Sequence, residues 1–160
     1  MPAGDLILSL GSRSVTFNGT NQGARFTDEE VPRSFEVPGM RKSVHGTPAI
    51  EGPAYEPTRI WNFAALVDGD TERTLRLIQA VHVADPANQK ILIHDLTAEF
   101  AEDSPRSRAL ASGATATADG SQVVYYAQFY AKLSAAISFR QSGKYRLATL
   151  SLTELDKVPA

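Results

Sequence analysis

What most constrains this chain is a stretch of about forty residues, 19–58, that is crowded with Pro32, Pro38, Pro48, Pro53 and Pro57 and with Gly19, Gly23, Gly39, Gly46 and Gly52. Proline lacks a backbone N–H and is confined in sheets to edges and bulges, so the prolines forbid most regular pairing in this stretch. Segments this long without regular structure are uncommon inside a compact domain. Its composition is not that of a disordered tail either, because Phe26, Val31, Phe35, Val37, Met40, Val44, Ile50 and Tyr55 are spread along it. An extended arm that buries these side chains against a neighbouring subunit meets both demands, with short extended pieces at 24–26 and 34–37. Phe26, Phe35, Met40 and Tyr55 are the candidate anchors of such an arm, and they point to an assembly protein.

The rest of the chain alternates. Residues 5–10 and 14–18 read as two strands joined at Gly11-Ser12-Arg13. In residues 59–67, Trp61, Phe63, Ala65 and Val67 share one face, while Ile60, Ala64 and Leu66 share the other. Both faces are apolar, so this strand is expected to be covered on both sides. Asp68-Gly69-Asp70 supplies an N-cap, and 71–83 has helical spacing with Leu75, Ile78 and Val81 in a stripe beside Leu77. Asp85-Pro86 stops the helix. Residues 90–96 form a further strand, 101–108 a charged loop and 109–118 a small-residue strand. A long two-faced strand follows at 122–133, and a hairpin closes around Ser142-Gly143. The expectation is one domain, 1–160: N-terminal strands to residue 18, the arm at 19–58, and a β-domain at 59–160. The fold class is mainly β (α+β), an antiparallel sandwich-like domain with one covering helix.

Chemistry has little to stand on. The formal charge of −2 gives no general pull toward nucleic acid or anionic membrane, and Arg41-Lys42 and Arg106/Arg108 form no basic stripe. No apolar run is long enough for a membrane span. Residues 1–5 carry no basic or apolar segment of a signal peptide, and the chain has no cysteine, as expected of a cytosolic product without disulfides. Asn18-Gly19-Thr20 fits a glycosylation sequon by chance. His45, His82 and His94 have no ligand spacing, and His82 is placed to favour the helix C-terminus as a cation. Asp68-Gly69-Asp70 begins like a calcium loop but lacks the later ligands. Asp95, Glu99, Glu102 and Asp103 include candidates for a hydrolytic carboxylate pair, with solvated loop charges as the alternative. No catalytic, cofactor or metal site is assigned, and no enzyme is expected. Tyr126 and Tyr130 lie on the more polar face of the long strand and suit a subunit interface. Their alternative place is under the helix or arm of the same subunit.

One order of elements is familiar: Ile60-Trp61-Asn62-Phe63-Ala64-Ala65-Leu66, the helix at 71–83, Lys90-Ile91-Leu92-Ile93, Tyr125-Tyr126-Ala127-Gln128-Phe129 and Leu150-Ser151-Leu152-Thr153-Glu154-Leu155. Over about 60% of its length the chain resembles the minor tail and distal tail proteins of long-tailed bacteriophages, including the lambda minor tail protein M group. The lambda-type members are shorter and do not align with residues 19–58. The resemblance implies a virion structural protein, assembled in the host cytoplasm. It would form a homo-oligomeric, sixfold ring that joins the tail tube to tip, hub or baseplate parts. Two alternatives stand beside it: a carbohydrate-binding β-sandwich using exposed tyrosines, and a small hydrolase.

Overall fold

The structure is a computed structural model that describes the backbone of residues 4–17, 23–27, 33–36, 40–42, 48–50 and 58–160, and the side chains of 4–17, 23–27 and 58–160. The chain is mainly β. Its large antiparallel sheet follows the order β2 (Arg13–Phe17), β1 (Leu6–Leu10), β8 (Ile91–Asp95), β12 (Gln128–Leu133), β14 (Tyr145–Lys157), β7 (Thr58–Val67) and β3 (Ala24–Phe26). Two further strands share edges already in use: β13 (Ser138–Ser142) pairs with β14, and β4 (Arg33–Glu36) pairs with β7. A separate hairpin joins β5 (Met40–Lys42) to β6 (Pro48–Ile50).

The sheet curls until its two ends meet. Phe17 on β2 and Phe26 on β3 stack with ring centroids 6.0 Å apart, and Phe63 meets both edge-on. The result is a nearly closed barrel whose seam is held by aromatic rings. Period-two alternation fills its interior with Leu6, Leu8, Val15, Trp61, Phe63, Ile93, Phe129 and Leu152, among others. On β7 only the row from Arg59 to Val67 is buried. Ile60, Ala64 and Leu66 are half-buried and Asn62 is exposed, so this strand is not covered on both faces. Barrel curvature puts one face inside and leaves the other outside, however apolar that outer row is.

The helix α1 (Gly69–Ala84) packs on this barrel. Asp68 caps it, accepting a hydrogen bond from the Thr71 N–H at 2.8 Å. Its buried face is Leu75, Ile78 and His82, and Leu77 is 45% exposed. At 100° per residue Leu77 falls opposite that stripe, which removes it from the expected apolar face.

A small second sheet stands on the barrel: β10 (Thr117–Asp119), β11 (Gln122–Tyr125) and β9 (Phe100–Asp103). We call it the flap. Here the structure departs from the sequence-based expectation in three places. The charged loop begins as a strand, β9. Residues 109–116 form no strand: Leu110 makes only an isolated bridge to Ala127, Ala111 is buried, and the chain then turns at Gly113, which adopts a positive φ of 75°. The long strand at 122–133 breaks after Tyr125, so β11 belongs to the flap and β12 to the barrel.

Candidate functional site

The richest chemistry lies where the flap meets the barrel. Arg59 and Glu154 occupy inward positions of β7 and β14, in register with Trp61, Phe63, Leu150 and Leu152. Arg108 reaches in from the loop, and all three side chains are buried. The Arg59 guanidinium sits 4.4 Å from the Phe100 ring centroid and 4.7 Å from Phe129, and Arg108 sits 5.3 and 5.1 Å from the same rings. Two cations therefore share an aromatic cradle. Glu154 supplies the counter-charge. Its Oε1 lies 2.7 Å from Arg108 Nη1, an ion pair that is not aligned as a hydrogen bond, and its Oε2 accepts the Arg59 N–H at 3.1 Å. Desolvating charges is tolerable only with such close compensation.

Two carboxylates extend the network. Asp95 accepts from Trp61 Nε1 at 3.1 Å and from the Thr97 N–H at 3.0 Å and hydroxyl at 2.5 Å. Glu102, on β9, accepts from the Ser107 N–H and hydroxyl, both at 2.5 Å, and from the Tyr125 hydroxyl. Burial would push the Glu102 carboxyl upward. The Ser107 and Tyr125 hydrogen bonds and the nearby Lys157 charge outweigh it, and the net shift is downward. Tyr125 is pushed the other way, well above its ordinary value, by burial and then by its bond to the Glu102 carboxylate. These groups bind β7, β8, β9, β11 and β14 into one unit. Asp95 and Glu102 are thereby engaged as acceptors inside the fold.

The network fixes the flap by one face only. Register places Phe100, Glu102, Val123 and Tyr125 toward the barrel. The opposite face carries Asp119, Gln122 and Asp103 in one cross-strand row and Thr117, Val124 and Ala101 in the next. All are exposed except the half-buried Val124. Strand β10 is exposed along its whole length.

The residues singled out from sequence are scattered. Phe26 lies in the aromatic seam of its own subunit. Phe35 and Met40 fall on β4 and β5, where side chains lie outside the described residues, and Tyr55 lies outside them altogether. Tyr126 is half-buried against a small cluster of Ile7, Leu96 and Ala111. Tyr130 is half-buried with Lys90 Nζ 5.5 Å from its ring centre. Neither ring is an open platform. Asp68 serves as the N-cap. His82 is buried, not a surface cation: Nδ1 donates to the Gln89 carbonyl at 2.6 Å and Nε2 accepts the Leu133 N–H at 3.2 Å. That pattern belongs to a neutral imidazole. His94 accepts the Ser112 N–H at Nδ1, and burial lowers its pKa below the ordinary 6.5. His45 and Asn18-Gly19-Thr20 fall outside the described residues, as do the side chains of Arg41-Lys42. Among the described residues no three histidine, aspartate or glutamate side chains gather as a metal site.

Sequence reasoning missed the roles of Arg59, Arg108 and Glu154. A signal was present for two of them: Arg59 and Glu154 interrupt apolar rows at positions that alternation assigns to the interior. No protein-family model, curated protein or solved structure matches this chain.

Proposed function

We propose that this chain is a virion structural protein, a tail-tip, distal tail or baseplate component forming a ring that joins the tail tube to the tip. The observation that supports this best is the flap. It is a three-stranded sheet bound firmly to the barrel on one face while its other face and its β10 strand are open to solvent. Exposed strand edges and faces are what soluble monomers suppress and assemblies use. The buried ionic network gives the flap a fixed orientation, as a repeating contact requires. Self-association and neighbouring tail proteins are the partners of this proposal, and the virion tail is its location. No helix among the described residues is long and apolar enough to cross a membrane.

A glycan-binding module draws no support from Tyr126 and Tyr130, whose rings are occupied within the subunit. The test is light scattering over a concentration series, paired with electron microscopy of the purified protein. Closed rings of uniform subunit number are the expected result. A chain that stays monomeric throughout, and forms no ring when mixed with tube or tip proteins, would count decisively against it.

A further inference from the structure

The outer face of the barrel carries a row that matches the flap. Register aligns Arg25 on β3 with Leu66 on β7, Leu66 with Leu147 on β14, and Leu147 with Arg140 on β13. All four point outward, because their neighbours Ala24, Val67 and Ala148 are buried inside. The two leucines are half-buried and the two arginines are exposed. Tyr145, two residues before Leu147 on the same face, is 46% exposed. Neighbouring strands lie ~4.8 Å apart, so the row spans roughly 14 Å from arginine to arginine.

The outer face of the flap has the inverse pattern. Asp119 and Asp103 stand on either side of Gln122, roughly 10 Å apart across two strand spacings. Val124 lies in the adjacent row on the same face. One surface therefore offers aliphatic side chains flanked by two guanidiniums, and the other an aliphatic side chain beside two carboxylates. The arginine side chains are long enough to absorb the difference in span. Among the described residues no ion pair or hydrogen bond engages the side chains of Arg25, Arg140, Asp103 or Asp119.

We propose that these two surfaces bind each other between copies of the chain. The flap of one protomer docks its Asp103/Asp119 face on the Arg25–Leu66–Leu147–Arg140 row of the next. Within one copy they cannot meet. The flap is anchored beside Glu154 and the arginine row crosses β14 at Leu147, seven residues or roughly 23 Å away along the strand. A contact between two different surfaces is heterologous, so it propagates from copy to copy and closes into a ring or runs on as a filament. The contact rests on the assembly proposed above only in taking a second copy as the partner.

Complementary charge reversal tests it. One variant carries Asp103→Arg and Asp119→Arg, the other Arg25→Glu and Arg140→Glu, both in the full chain and checked for unchanged circular dichroism. Wild-type protein is expected to associate at low salt and to dissociate as salt screens the pairs. Each variant alone should associate on the order of a hundredfold more weakly. Mixed in equal amounts, the two should recover association, because each then presents opposite charge to the other. Wild-type protein that is monomeric at low salt overturns the contact and leaves the arginine row to a different acidic protein. Association that neither reversal weakens, or that mixing does not restore, overturns it too. Rings seen by microscopy but indifferent to both reversals would sink this contact and spare the ring. Salt-sensitive, reversal-sensitive association into filaments would do the opposite.

Discussion

Glu154 shows how much one side chain can hold. Its carboxylate faces Arg108 and the Arg59 backbone inside the barrel end, and both guanidiniums rest on Phe100 and Phe129. Replacing it with leucine leaves two buried cations without this counter-charge. The expected loss is about 3–5 kcal/mol in chemical denaturation, the range for breaking a buried pair from one side. A loss below about 1 kcal/mol would mean that water reaches the site, as at a surface pair. His94 makes a prediction in pH. Its folded pKa lies below 6.5, so the unfolded chain takes up a proton that the folded chain resists. The stabilisation is fully present above pH 6.5 and is lost as pH falls below it. His94→Gln should flatten that part of the stability profile. Glu102, also shifted downward, acts from 4.5 down and should keep its own slope in the variant.

Elements were legible where the signal is local, and illegible where it depends on a distant partner. The helix could be read because Asp68, the spacing of Leu75 and Ile78, and Asp85-Pro86 all lie within the segment itself. Asp68→Ala should accordingly cost about 1 kcal/mol, measured as a shift in thermal midpoint. The hairpin at Gly143, with its positive φ of 59°, was equally plain. The break between β11 and β12 was not. Tyr125, Ala127, Phe129 and Ala131 stay buried in strict alternation across it, so nothing in the local pattern marks the change of sheet. The partners of β11 are β9 and β10, and those of β12 are β8 and β14; pairing of that kind leaves no trace in a window of ten residues. The candidate site had the same blind spot. Glu102 reads as a solvated loop acid until β9 brings it to Tyr125. Glu102→Gln weakens the bonds by which Ser107 and Tyr125 hold β9. Faster amide exchange in β9, β10 and β11 is expected, with β8 and β14 unchanged; equal acceleration throughout would show that flap and barrel open as one unit.

At the scale of the molecule, the proline-rich stretch bears on the fold and on the proposed assembly at once. Two strands inside residues 19–58 are integral to the large sheet, since β3 pairs with residues 65–67 of β7 and β4 with residues 58–61. Together they line the edge of β7 that faces away from β14. Phe26 also contributes one of the three rings that join the seam between β2 and β3. An arm that served only a neighbour could be cut away, leaving a folded domain unable to assemble, and deletion of residues 23–53 distinguishes the cases. That deletion removes β3, β4 and Phe26, and so uncovers the β7 edge and leaves Phe17 and Phe63 facing an unfilled seam. Phe26→Ala alone should cost about 3 kcal/mol, near the lower bound for a phenylalanine because the ring is half-buried. The deletion adds the lost strand pairing to that cost, and total stability for a domain is only about 5–15 kcal/mol. The truncated chain should therefore lose its cooperative thermal transition and its near-ultraviolet dichroism, whereas Phe26→Ala should keep both with a lowered midpoint. A truncated chain that melts cooperatively at the wild-type temperature would mean that the barrel is complete without those strands. Light scattering on that folded product would then measure what the arm contributes to assembly alone.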